Sequence, residues 1–150
     1  MSRVVLAVIL LMACSNLQSQ SAIVTPSLNE QLGKLKSTDL IQVNIVFAEQ
    51  IHYGILNAQF KEQNIPLTER AKTVMRQSKN LANNTQLPII EFLKANSKKL
   101  VSYKQYWIIN MMSIEATKDI IEQLSLLQAI DYIEEYDHFQ QNFIRESGCT

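Results

Sequence analysis

The order of hydrophobic periods along the chain predicts an α+β domain, and three observations carry that prediction. Leu40–Phe47 alternates apolar and polar residues. A long helical repeat then occupies about 66–97. The stretch Lys99–Asp137 reads as strand, strand, helix, strand. The sum is strand, helices, strand, strand, helix, strand, the split βαβ or ferredoxin-like βαββαβ order: a four-stranded antiparallel sheet with helices on one face and an extended helical insertion at about 66–97. In a chain of 150 residues the other face has no second layer to cover it. That open face is a candidate binding surface.

The elements follow in order. Residues 1–21 read as an export signal: Arg3 gives the positive start, and Val4–Ala13 is an apolar run too short to span a bilayer. Two processing routes compete. Leu11-Met12-Ala13-Cys14 has the form of a bacterial lipobox, which makes Cys14 a candidate lipidation site. Alternatively a signal peptidase cuts among Ser19-Gln20-Ser21-Ala22, and this simple cleavage is the preferred reading. Either route takes the chain out of the cytoplasm, to be secreted or held in the periplasm or cell envelope. Residues 22–39 read as a connector broken by Pro26 and Gly33, with at most a helical turn or two at Leu28–Leu35. The domain proper spans 40–137, and 138–150 is a tail.

Ile41, Val43, Ile45 and Phe47 define one face of the first strand. Ile51, Ile55, Leu56 and Phe60 then predict a helix, weakened at its start by Gly54 and stopped by Asn64-Ile65-Pro66. A longer helix is expected from Thr68, as its cap, to Ser97. Its continuous face runs through Ala71, Val74, Met75, Ser78, Leu81, Ala82, Thr85, Ile89, Phe92 and Leu93, with a kink or break between Asn83 and Pro88. Lys94, Lys98 and Lys99 suit a solvated helix end. Strands are predicted near 99–104 and 106–115 around a Lys104-Gln105 turn, the second containing Trp107. Thr117 caps a helix bearing Ile120, Ile121, Leu124 and Leu127, its hydroxyl accepting from a backbone N–H. A last strand covers 129–136.

Composition excludes several functions. Fourteen basic residues balance fourteen acidic ones, so there is no general electrostatic footprint for nucleic acid or an anionic membrane. His52 and His138 have no metal-ligand partner at i+4, and Cys14 and Cys149 form no paired motif, so no metal and no cofactor is expected. Gly33, Gly54 and Gly148 build no phosphate loop, and Arg70 and Arg76 sit in a helix rather than an anion loop. Glu134 and Glu135 alternate across a strand and do not form a catalytic pair. Tyr103, Tyr106, Trp107, Tyr132 and Tyr136 could stack bases, but without a basic stripe they read as core and partner contacts. No enzyme is expected.

Several short motifs then converge. Leu40-Ile41-Gln42-Val43-Asn44-Ile45, Glu69-Arg70-Ala71-Lys72, Val101-Ser102-Tyr103, Tyr106-Trp107-Ile108-Ile109-Asn110, Ser113-Ile114-Glu115-Ala116-Thr117 and Ile130-Asp131-Tyr132-Ile133-Glu134 resemble, in order and spacing, the propeptide or inhibitor family of secreted subtilisin-like serine proteases, in its Bacteroidetes-type variant. The resemblance covers about residues 40–137. It implies a ferredoxin-like domain whose open sheet face packs on two protease helices, with carboxylates at their N-termini and a C-terminal tail lying in the active-site cleft like a product. Such a domain acts as an intramolecular chaperone and as the inhibitor of a zymogen. Carried over, Glu134, Glu135 and Asp137 are the candidate helix-capping acids, of which Glu134 and Glu135 cannot both point the same way. Phe139, Gln140, Gln141, Asn142 and Phe143 are the candidate cleft segment, and Trp107 is a candidate interface anchor. The helical insertion departs from the shortest family members. The protease motifs D-[ST]-G, H-G-[TH] and G-T-S are missing. The expectation is a stand-alone inhibitor acting in trans, or the front piece of a protease precursor acting in cis. The partner is a subtilisin-like serine protease, with no nucleic acid and no membrane beyond a lipid anchor. The competing reading is an exported structural or lipoprotein domain of the same fold with no protease partner.

Overall fold

The computed structural model describes residues 21–96 and 100–136. Its elements are β1 (Ile23–Val24), α1 (Pro26–Lys34), β2 (Leu40–Phe47), α2 (Tyr53–Glu62), α3 (Leu67–Ala95), β3 (Leu100–Tyr106), β4 (Met111–Thr117), α4 (Lys118–Ser125) and β5 (Ile130–Glu135). The class is α+β. The sheet is mixed and five-stranded, in the order β1-β5-β2-β4-β3. β2 pairs antiparallel with both β4 and β5, and β3 pairs antiparallel with β4. β2 and β3 therefore run the same way with β4 between them, and β4 and β5 run the same way with β2 between them.

The expected four-stranded antiparallel sheet is corrected by β1, which pairs parallel to β5 through Ile23 with Tyr132 and Val24 with Ile133. The connector reading of 22–39 fails for the same reason. Pro26 occupies the first helical position, where its missing N–H is harmless, and starts α1 instead of breaking the chain. Leu28 and Leu32, one helical turn apart, are buried in the main core. Ala22 ties in from the other side, its N–H donating to the Ser125 carbonyl at 2.7 Å.

One apolar core holds the molecule together. Val43, Ile45 and Phe47 of β2, Met112, Ile114 and Ala116 of β4, and Ile130 and Ile133 of β5 supply its sheet side. Leu28 and Leu32 of α1, Ile89, Ile90 and Leu93 of α3, and Ile120, Ile121 and Leu124 of α4 supply its helix side. In β2 and β4 the core residues alternate, as a strand with one buried face requires. β5 breaks the alternation, since Ile130 and Ile133 are three apart. The cause is an irregularity in the β2–β5 ladder: Val46 pairs with Tyr132 and Phe47 with Ile130, so Asp131 is the extra residue.

The helices differ from expectation in detail. α3 starts at Leu67 with Pro66 in the cap position, so Thr68 lies inside the first turn. It runs unbroken through Pro88 for 29 residues. Proline forfeits one hydrogen bond to the carbonyl of Asn84, which lies on the exposed side, while Ile89, Ile90 and Leu93 hold the following turns on the core. In α2 the buried pair is Leu56 and Phe60, while Ile55 faces solvent. Arg70 fixes the corner between α2 and α3. Its Nε donates to the Ile65 carbonyl at 2.7 Å and its guanidinium lies 6.0 Å from the Phe60 ring centre. Thr117 does take the cap position of α4, but its hydroxyl donates to the Asp119 carboxylate and accepts no backbone N–H.

The β3–β4 turn is the largest correction. The expected Lys104-Gln105 turn lies within β3, and the chain reverses at Trp107–Asn110. Trp107 is thus in a turn and not in a strand. Asn110 makes this reversal: it is 1% exposed with φ of 38°, a left-handed conformation that asparagine tolerates best after glycine. Its Nδ2 donates to the Glu49 carbonyl at 2.7 Å, and its Oδ1 accepts from Gln86 Nε2 at 3.0 Å and Thr85 Oγ1 at 3.1 Å. Tyr53 clamps the outer end, its hydroxyl donating to the Ile108 carbonyl at 2.6 Å and meeting Ser78 Oγ at 3.0 Å.

Candidate partner-binding face

The strand residues of opposite parity to the core set up the other face of the sheet. Register places them in rows across the strands. The first row is Ile23, Tyr132, Val46, Met111 and Tyr106, crossing all five strands. The second is Glu134, Asn44, Ser113 and Lys104, and the third Gln42, Glu115 and Ser102. The apolar members of the first row stay half-buried or exposed, Ile23 reaching 65%. None of them belongs to the core cluster that α1, α3 and α4 cover. Among the described residues this face therefore carries an apolar band bordered by polar rows, with no helix laid over it.

The polar rows are organised. Ser113 Oγ donates to Asn44 Oδ1 at 2.5 Å, which fixes the centre of the second row. Lys104 leans over Tyr106, with its Nζ 5.0 Å from the ring centre. At the opposite end of the band, burial and then the Glu134 and Asp131 carboxylates push the Tyr132 phenol above its ordinary value. Glu134 and Tyr132 are two residues apart on one strand and share the open face.

The three candidate acids separate. Glu134 stands in the second row of the open face. Glu135 points the other way and is engaged by its own chain. Thr25 Oγ1 donates to Glu135 Oε2 at 2.9 Å. Hydrogen bonds from the Ser27 hydroxyl, from its own backbone and from Thr25 hold its carboxyl below the usual range, against a smaller opposing effect of burial. Thr25 and Ser27 flank the start of α1, so Glu135 sits where the unpaired N–H groups of that helix attract negative charge. Sequence reasoning assigned Glu135 to a helix of the partner; within the molecule its carboxylate is bonded to Thr25 and Ser27. Asp137 and the cleft segment Phe139, Gln140, Gln141, Asn142 and Phe143 lie outside the described residues, as do Cys14, His138 and Cys149.

Trp107 is not on the open face. It is half-buried beside α3, where Lys79 Nζ lies 5.3 Å from its ring centre. Sequence reasoning missed Gln86, Asn110 and Tyr53, which set the position of this turn. Gln86 was legible in one respect: it lies four residues after Ala82 and three before Ile89, on the buried stripe of α3, where a carboxamide needs partners. Among the described residues no cluster of three His, Cys, Asp or Glu side chains is placed to hold a metal, and no helix is long and apolar enough to cross a membrane. Comparison of the chain with family models, curated proteins and solved structures finds no match in any of the three.

Proposed function

We propose that this protein is a propeptide-like domain that binds and inhibits a subtilisin-like serine protease and assists its folding, using the open face of a ferredoxin-like sheet to which β1 is added at one edge. The single observation that carries the reading is the uncovered band Ile23–Tyr132–Val46–Met111–Tyr106 with Glu134 beside it. An apolar sheet face with a peripheral carboxylate complements a pair of helices presented with their N-termini toward that carboxylate. The strand order β5-β2-β4-β3 and the placement of the helices on the core face support the ferredoxin-like description. Of the three candidate acids, Glu134 takes the outward role, because Glu135 is engaged by Thr25 and Ser27 at the start of the domain's own α1. Residues 139–143 follow β5 as the proposed product-like segment in the protease cleft.

The test is inhibition of a subtilisin-like protease, read with a chromogenic peptide. Competitive inhibition is expected. Truncation after Asp137 should abolish it with circular dichroism unchanged, and Met111→Lys should weaken it through loss of the sheet contact. A truncated chain that inhibits as well as the full one refutes the product-like tail. A full chain that inhibits no subtilisin-like protease and refolds none refutes the reading altogether.

A further inference from the structure

A second surface lies where the β3–β4 turn, just beyond Tyr106 and Met111, meets α3. Turns favour glycine, proline, asparagine, aspartate and serine. This one begins Trp107-Ile108-Ile109, and the two isoleucines are 57% and 52% exposed. Their exposure is enforced. Tyr53 holds the Ile108 carbonyl, and the buried Asn110 is bonded to Glu49, Thr85 and Gln86 on three sides. The chain thus invests a buried polar network in presenting an exposed apolar tip.

α3 brings Lys79 to the tip and carries two further cations along the same face. Lys72, Arg76 and Lys79 recur at i, i+4 and i+7 and so share one face of α3, all exposed. Lys79 reaches over Trp107, and together with Asn83 and Gln105 they line a cleft of about 230 Å³ floored by Gln86. Met75, 47% exposed, lies on the same helix one turn before Lys79. The nearby acids are Glu69, which forms an exposed 2.8 Å pair with Lys72, and Glu49 in the loop before α2. Zero net charge over the whole chain conceals this local stripe.

We propose that the Trp107–Ile109 tip and the Lys72–Arg76–Lys79 stripe form a peripheral docking surface for an anionic lipid bilayer. Ile108 and Ile109 enter the boundary between headgroups and acyl chains. Trp107 lies at headgroup level, where an amphipathic ring is favoured. The three cations, with the Asn83 and Gln105 carboxamides as additional donors, meet lipid phosphates. Exposed isoleucines beside an amphipathic ring and a row of exposed cations match an anionic interface in both apolarity and charge. The surface needs no protease partner, and its turn follows directly on Tyr106 and Met111, the β3–β4 end of the open-face band.

Trp107 is the only tryptophan of the chain, so its fluorescence reports on this site even though the apolar Val4–Ala13 run could bind vesicles on its own. The full chain is mixed with phosphatidylcholine vesicles, with and without phosphatidylglycerol, some carrying a doxyl quencher near the glycerol backbone. Expected are a blue shift and doxyl quenching only with phosphatidylglycerol, both suppressed by high salt. Replacing Lys72, Arg76 and Lys79 with glutamine should weaken the response roughly 100-fold, about five-fold for each cation. Ile108→Ser with Ile109→Ser should remove the quenching while leaving circular dichroism unchanged, since both side chains are exposed. Unchanged emission with phosphatidylglycerol vesicles, an equal response to phosphatidylcholine alone, or a response that survives the glutamine substitutions overturns the proposal. So does a blue shift that grows with protein concentration in the absence of lipid, which would assign the tip to a second copy of the chain.

Discussion

Replacing Asn110 tests whether the buried network, rather than strand propensity, sets the β3–β4 turn. The asparagine side chain makes three hydrogen bonds, to the Glu49 carbonyl, Gln86 Nε2 and Thr85 Oγ1. Its partners are not equally exposed by its loss. Gln86 Nε2 keeps the Tyr106 and Met111 carbonyls, each at 3.3 Å, and Thr85 keeps the Leu81 carbonyl at 3.0 Å. The Glu49 carbonyl loses the 2.7 Å bond outright. At a net value of about 1 kcal/mol for each bond, Asn110→Gly should destabilise by about 2–4 kcal/mol, including the backbone freedom that glycine gains when unfolded. Asn110→Ala loses the same bonds and must also hold φ near 38°, a further ~1 kcal/mol. The alanine variant should therefore be the less stable of the two, although alanine is elsewhere the better residue. In urea unfolding, shifts of this size lower the midpoint by about 1–3 M at unchanged slope. If both variants melt within about 0.5 kcal/mol of the parent, or if glycine is the worse substitution, the turn is not held as described.

Further tests address other parts of the molecule. Leu28→Ala should cost about 2–5 kcal/mol, because Leu28 is fully buried in the main core, and a negligible loss would return residues 22–39 to the status of a connector. Glu135 has its carboxyl lowered in the folded state, so its contribution is present above the ordinary carboxylate range and is lost as pH falls through the lowered folded value. Urea midpoints of the parent should drop through that acid window more than those of Glu135→Gln; parallel pH profiles would show that the clasp to Thr25 and Ser27 contributes nothing. Glu134→Gln should leave stability within about 0.5 kcal/mol, as expected for an exposed-face position, while weakening protease inhibition, and equal inhibition would remove Glu134 from the interface.

Much of the sheet was legible because one buried face imposes a period. Val43, Ile45 and Phe47 alternate, and β2 emerged with the bounds the alternation set. α4 was legible through Ile120, Ile121 and Leu124 for the same reason. β1 was not, because two residues make too short a period, and α1 was read only as a helical turn or two at Leu28–Leu35, because Pro26 and Gly33 read as breakers in isolation. Only the parallel pairing to β5 and the burial of Leu28 and Leu32 give that segment its place. The position of the β3–β4 turn was hidden by composition. Trp107, Ile108 and Ile109 have the propensity of a strand, and tertiary hydrogen bonds to Asn110 and Ile108 override it. On the candidate site, alternation alone separated Glu134 from Glu135. That Glu135 turns inward to α1 depended on the start of a helix that the sequence showed only as a turn or two at Leu28–Leu35.

The central place of β2 has a consequence for how the chain comes to be folded. β2 is made early, yet its neighbours are β4, whose Met112 pairs with Ile45, and β5, whose Ile133 pairs with the same residue from the other side. Both partners lie far down the chain, beyond the whole of α2 and α3. The β3–β4 hairpin is the one local ladder among the antiparallel pairs. Closing the long loops costs chain entropy before any β2 contact repays it, so the hairpin and α3 can organise first while β2 waits with both edges unpaired. Until β4 is available the Val43–Phe47 segment is an apolar strand without neighbours, and until β5 follows one of its edges stays open, the kind of segment that aggregates or is bound by chaperones.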